Sequence, residues 1–146
     1  MLTENLKVLL ASTYAYYLKA KLFHWNVEGS DFVQLHAFFD QVATDSYEAT
    51  DVIAEEIRTL EANAPGSFER FIDLSIIPGQ TKIPRARLMV EELLADTQTM
   101  IDLVNQVFHD AEEEDKQDIA NFMAERLSSH NKWMWQMKSL LKDVRE

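Results

Sequence analysis

The run Pro65-Gly66-Ser67-Phe68-Glu69-Arg70-Phe71-Ile72-Asp73-Leu74-Ser75-Ile76-Ile77-Pro78-Gly79-Gln80-Thr81-Lys82-Ile83-Pro84 decides the fold of this chain. It contains all three prolines of the sequence and two of its three glycines. Proline removes a backbone donor and clashes inside a helix, and glycine frees the backbone for turns. The run therefore divides the chain into two long helical halves joined by a crossover from Ser67 to Ile83. One short helix is predicted inside it, Phe68 to Leu74, and Pro78-Gly79 turns the chain. Pro84 suits the first residue of the helix that follows, where its missing N–H costs nothing.

Upstream, Leu6, Leu10, Tyr14, Tyr17 and Lys21 recur at helical spacing, the last through its aliphatic stem, and predict a first helix over Thr3 to Asn26. Glu28-Gly29-Ser30-Asp31 breaks it, and Asp31 with Gln34 has the spacing of a capping box. Phe32, Leu35, Phe39, Val42, Ala49, Val52, Ile53, Ile57 and Leu60 carry a second helix to Asn63, ~48 Å long. Downstream, Leu88, Leu93, Leu94, Met100, Ile101, Val104 and Phe108 predict a third helix from Pro84 to Asp110. Ile119, Phe122, Met123, Leu127, Met134, Met137 and Leu141 predict a fourth from Asp115 to Val144. No Gly or Pro marks the third–fourth boundary, which is placed by the acidic cluster and total length. Four long helices with a long crossover between helices 2 and 3 predict an all-α, ferritin-like four-helix bundle with a short helix in the crossover. One domain spanning 1–146 accounts for the length.

Composition narrows the function. Apolar residues make up 47% of the 146 residues, which excludes a disordered chain. Cysteine is absent, which excludes disulfides, thiol catalysis and thiolate-held metals. No apolar run reaches the ~20 residues of a membrane span and no signal-peptide pattern opens the chain, so a cytoplasmic location and no membrane partner are expected. With 14 basic and 25 acidic residues the net charge is −11, a poor match for a phosphate backbone.

The chemistry concentrates on the second helix. His36 and Asp40 are i, i+4, and so are Asp51 and Glu55. Asp40 to Asp51 is eleven residues, about three turns, so both pairs share nearly one stripe. Imidazole with carboxylates suits iron, manganese or zinc. The two pairs are nonetheless ~16 Å apart along a straight helix, too far for one centre. A two-fold axis resolves this. His36 and Glu55 are symmetric about the midpoint between Asp45 and Ser46, and so are Asp40 and Asp51. Two antiparallel copies of the helix would set His36 and Asp40 of one chain against Glu55 and Asp51 of the other, giving two equivalent shared sites. His24, ending the first helix, is placed to join as a further ligand. The same charged positions also read as an ordinary solvated helix face. Against that, His36 and Asp40 sit among Phe32, Leu35, Phe38 and Phe39, where unpaired polar groups are costly. No Glu-x-x-His occurs in the chain, which argues against a centre inside one bundle.

His24-Trp25-Asn26-Val27-Glu28-Gly29, then Phe32, Leu35-His36, Phe39-Asp40, Asp51 and Ala54-Glu55, resembles without gaps the ferroxidase signature of the Dps family of mini-ferritins. The resemblance continues through Ala64-Pro65-Gly66-Ser67-Phe68 and Ser75-Ile76, and more loosely to His130 and Trp135. It implies a hollow dodecamer built from two-fold dimers. In it, His24, His36 and Asp40 of one chain and Asp51 and Glu55 of its mate would bind iron. Fe(II) would be oxidised there, with hydrogen peroxide as the preferred oxidant, and stored as ferric mineral. Trp25 would be an electron donor to a reactive oxidant, or a packing residue. The resemblance also puts the acidic run 110–118 at a three-fold pore that draws in cations, with Asp115 and Asp118 as leading pore residues and Glu112 and Glu114 as contributors. A solvated loop favouring a helix N-terminus explains the same acids.

Two departures from the family stand out. Relatives often carry a Lys-rich N-terminal arm that binds DNA, whereas Lys7 is the only basic residue among the first eighteen here. No direct nucleic-acid binding is expected. Glu56 stands where relatives often carry Arg. Asp45 and Glu48 are read either as cavity-wall or as plain surface residues. Trp133, Met134, Trp135 and Met137 are read as core or subunit interface, and His109 and His130 as structural. The alternatives to ferroxidation are a metal-sequestering or structural cage with little turnover, a DNA-protecting Dps acting without direct DNA binding, and a helical interaction module without metal.

Overall fold

The computed structural model describes residues 1–142. The described residues form five helices and no strand: α1 (Leu2–Asn26), α2 (Phe32–Thr59), α3 (Phe68–Leu74), α4 (Ala86–Glu113) and α5 (Gln117–Leu141). The four long ones make the bundle, and α3 lies in the crossover against α1. None of the described helices is long and apolar enough to cross a membrane.

The core is a single cluster from all four long helices, with Leu6, Tyr16, Phe23, Phe39, Ile53, Leu93, Met100, Ile119 and Met123 fully enclosed. On α1 the core face differs from the one the spacing predicts. Leu6 and Leu10 are buried, but the stripe then runs through Tyr16, Ala20 and Phe23. Tyr14, Tyr17 and Lys21 flank it instead, half-buried. Tyr14 packs on Phe71 of α3 and Tyr17 on Tyr47 of α2, at ring separations of 5.2 and 5.1 Å. A helix gripped from two sides carries a broader apolar arc than a single stripe.

Helix ends explain the other differences. The predicted capping box does not form: Asp31 is the N-cap of α2, but its side chain makes no cap bond, and the turn closes through Leu35 N–H on the Asp31 carbonyl. The α2 helix stops at Thr59 rather than Asn63, because Glu61 turns left-handed (φ 64°) and Ala62 N–H bonds back to Ile57 O. Asp115 does the same after α4 (φ 57°), with Lys116 N–H on Ala111 O at 2.8 Å. Helix α4 therefore runs past the predicted Asp110 to Glu113, and α5 begins at Gln117 rather than Asp115. Helix α4 begins at Ala86, so Pro84 lies just before it. The described part of α5 ends at Leu141; the predicted end at Val144 lies outside the described residues.

Buried polar ties fix how α1 and α4 register. The Lys19 ammonium, 2% exposed, meets Glu92 at 2.9 Å and Asp96 at 2.8 Å. Gln80 of the crossover donates to the same Glu92 at 2.8 Å. Burial raises the Asp96 carboxyl above its usual range, and Lys19 partly offsets that rise. One turn before Lys19 on α1, the Tyr16 hydroxyl donates to Thr97 Oγ1 at 2.6 Å, because Thr97 gives its own proton to Leu93 O. Removing one partner of a buried ion cluster strands the others. Lys19→Ala should therefore cost about 3–5 kcal/mol in urea unfolding. A loss under about 1 kcal/mol would show that water reaches the two carboxylates.

Candidate metal centre

Only five residues separate α1 from α2, and Gly29 (φ 116°) supplies the left-handed backbone that this tight reversal needs. The antiparallel hairpin sets the last turn of α1 against the start of α2. His24 and His36 consequently stack, with ring centroids 3.9 Å apart and planes at 19°. Each Nδ1 lies on the other residue's main-chain carbonyl, His24 Nδ1 on His36 O at 2.7 Å and His36 Nδ1 on His24 O at 2.8 Å. A carbonyl only accepts, so both Nδ1 atoms carry protons. In the neutral rings both Nε2 atoms then keep free lone pairs, the state a metal requires. Phe32 stacks on His36 at 4.9 Å, and Phe23, next to His24, packs on Phe39 at 5.7 Å.

Asp40 follows one turn after His36. Its Oδ1 lies 3.8 Å from His24 Nε2 and accepts from Lys21 Nζ at 3.0 Å. The Lys21 hydrogen bond holds the Asp40 carboxyl below its usual range. Lys21 was read from sequence only as an aliphatic stem; its i, i+3 spacing to His24 was the available signal. His24, His36 and Asp40 are thus brought together within one chain.

Asp51 and Glu55 are not brought to them. Both are exposed on α2, some three turns further on, with no hydrogen-bond or ion-pair partner among the described residues. Among the described residues, no group of three His, Asp or Glu side chains has the arrangement to hold a metal ion. His24 of α1 thus meets His36 and Asp40 of α2, while Asp51 and Glu55 stand apart further along α2.

Exposed apolar side chains are numerous on these elements: Leu18, Trp25, Phe32, Tyr47, Val52, Phe68, Ile72 and Ile76 of α1, α2 and the crossover are each 40% exposed or more. An open groove of about 890 Å³ runs between α1 and α3, walled by Tyr14, Leu18, Trp25, Phe68, Ile72 and Ile76. Exposed apolar surface of this extent marks an interaction face. Trp25, beside His24, is 61% exposed and belongs to it.

The remaining candidates occupy other places. Asp115, Asp118, Glu112 and Glu114 are exposed around the α4–α5 corner. Glu114 accepts from Leu2 N–H at 3.2 Å, and Glu112 lies 3.6 Å from His109, a carboxylate neighbour at i+3. Burial, and then the charge of Asp118, raise the Glu56 carboxyl. Asp45 is committed to α5, where Arg126 Nη1 donates to it at 2.7 Å; Glu48 is exposed. Trp133 and Met137 are core, Met134 is half-buried, and Trp135 is 65% exposed. His130 is enclosed against Tyr16 and Trp133.

Four long helices, a short helix in the crossover, and His24, His36 and Asp40 gathered at the α1–α2 turn are the features to set beside known proteins. The chain belongs to the ferritin-like domain family, whose model matches residues 3–146. Its likeness within that family is to Dps proteins. Dps from Staphylococcus aureus superposes with a TM-score of 0.94 at 25% identity, over 98% of this chain and 96% of that one. Dps from Vibrio cholerae O1, described as a member of a broad superfamily of ferritin-like diiron-carboxylate proteins, superposes with a TM-score of 0.92 at 26% identity, over 97% and 89%. A low temperature-induced protein of Nostoc sp. is 31% identical over 134 residues, 90% of this chain and 75% of the relative.

Proposed function

We propose that this protein oxidises Fe(II) at centres shared between two copies and stores the ferric product in a hollow cage, a dodecamer built from two-fold dimers. The observation that carries this reading is the pair of half-sets, one at the α1–α2 turn and one further along α2. His24, His36 and Asp40 are gathered with free Nε2 lone pairs, while Asp51 and Glu55 stand unpartnered on the same helix. The apolar face around them suits a second copy, and antiparallel pairing of α2 about Asp45 and Ser46 would join the half-sets. Hydrogen peroxide is the oxidant that the resemblance favours. Two Fe(II) each give one electron, the peroxide O–O bond breaks, and two protons complete two waters. Hard carboxylate oxygens favour the ferric product. The acids at the α4–α5 corner would line an entry pore and raise the local Fe(II) concentration. Trp25 is adjacent to His24, a position from which an indole can quench a stray oxidising equivalent.

The test is anaerobic Fe(II) with added peroxide, following soluble ferric species. Oxidation faster than in buffer, with a soluble product, supports the reading. Oxidation no faster than in buffer, with precipitation, overturns it in favour of a sequestering or structural cage.

DNA is not expected to be a direct partner. Twelve chains at −11 each carry −132. Binding to a phosphate backbone draws on released counterions and clustered Lys or Arg, and here like charges repel. A gel shift at low salt without magnesium should show no retardation; a retarded band there would contradict the charge argument. Protection of DNA by removing iron and peroxide needs no contact.

A further inference from the structure

We infer that Lys21 is a positioning residue that acts through Asp40 as an internal competitor for the incoming cation. Its ammonium lies 3.0 Å from Asp40 Oδ1, the same oxygen that lies 3.8 Å from His24 Nε2. A divalent ion held about 2.1 Å from each of those two atoms would span 3.8 Å at an open angle. The position that ion needs and the position the ammonium serves share one carboxylate oxygen. Lys21 and His24 are one turn apart on α1, so the lysine cannot leave the neighbourhood of the site. Its side chain is 24% exposed in the single chain, so the chain's own packing does not enclose the ammonium. Until then it neutralises Asp40, and afterwards it remains a like charge close by.

Two consequences follow from this arrangement. Asp40 is kept aimed at His24 in the empty site. Occupation of the Asp40–His24 position also requires a cation with enough charge to displace an ammonium, which favours divalent over monovalent ions. The inference rests on the shared-centre reading for its purpose, but the Lys21–Asp40–His24 contact lies within one chain.

The test is calorimetric titration of the assembled protein with Co2+, backed by the Co2+ absorption band. Lys21→Met should bind roughly tenfold more tightly than the unmodified protein, the effect of removing one like charge near a divalent ion. Lys21→Arg should bind like the unmodified protein. A lysine that merely supports the fold would give the opposite result, weaker binding in Lys21→Met. Unchanged or weaker Co2+ binding by Lys21→Met, with helical content retained, overturns the inference, and so does an absence of Co2+ binding in every variant. Asp51→Ala with Glu55→Ala reports separately on the shared centre. If that variant keeps full Co2+ affinity, the two-chain reading fails while the Lys21 comparison still decides its own question.

Discussion

Chains carrying His24→Ala with Asp40→Ala, and chains carrying Asp51→Ala with Glu55→Ala, should each lose Fe(II) oxidation, and co-expressing the two should restore about a quarter of it. The fraction follows from symmetry. Random pairing makes half of the dimers mixed. In a mixed dimer one site takes His24, His36 and Asp40 from the second variant and intact Asp51 and Glu55 from the first. The other site is damaged on both sides. Half of the dimers with one good site in two gives a quarter of the normal centres. The substitutions fall on half-buried or exposed positions, so the bundle core is left alone. The measurement is initial oxidation rate with peroxide, for each variant alone and for the co-expressed mixture. No recovery in the mixture would place the whole centre in one chain and refute the two-fold reading.

The second large effect concerns acid stability. His130 is 1% exposed, edge-on to Tyr16 at 5.5 Å and to Trp133 at 5.1 Å. Arg126, one turn away on α5, lies over the Trp133 ring at 5.8 Å. Burial, and then the Arg126 charge, push the His130 imidazole down to about 3. In the unfolded chain it titrates near 6.5. Above pH 6.5 both states hold a neutral ring and pH has no effect through this group. As pH falls below 6.5 the unfolded chain takes up a proton that the native state refuses. Stability is lost at up to about 1.4 kcal/mol per pH unit until the native pKa is reached. The total is on the order of 5 kcal/mol across that window.

His130→Leu keeps similar volume, removes a buried Nδ1 that has no hydrogen-bond partner, and cannot titrate. Between pH 6.5 and 4.5 it should lose about 2–3 kcal/mol less stability than the unmodified protein. Urea unfolding of the iron-free protein at both pH values, at one protein concentration, measures the difference. Asp40, held below its usual range, adds acid lability in the same direction, but it is common to both proteins. Equal pH slopes in the two would show that His130 is not kept neutral in the native state.

Much of this was legible in the residue order. The prolines and glycines between Pro65 and Pro84 locate the crossover, because their constraint acts on the backbone locally. The 3.6-residue period of α2, α4 and α5 needs no knowledge of neighbours. The mirror spacing of His36, Asp40, Asp51 and Glu55 is visible because a helix converts sequence separation directly into distance. What failed were readings that depend on neighbours. Asp31-x-x-Gln34 has the spacing of a capping box but not the side-chain bond. Asp115 and Glu61 end their helices in a left-handed conformation that non-glycine residues rarely adopt, so no glycine marked the boundary. Asp45 looked free until Arg126, eighty-one positions away, was seen to claim it. Lys21 looked like an apolar stem until Asp40 lay across from it.

The sequence by itself determined an all-helical bundle, the place of its crossover and the four charged positions of the α2 stripe. These follow from local backbone preference and helical geometry, both of which are functions of sequence distance alone. Only the tertiary structure decided the state of the site. The tight α1–α2 reversal stacks His24 on His36 and locks both Nδ1 atoms onto carbonyls. The same packing brings Lys21 to Asp40 and leaves Asp51 and Glu55 without partners. Those outcomes depend on which side chains meet across helices, and burial and hydrogen-bond accounting over the whole bundle settles that, not spacing along the chain.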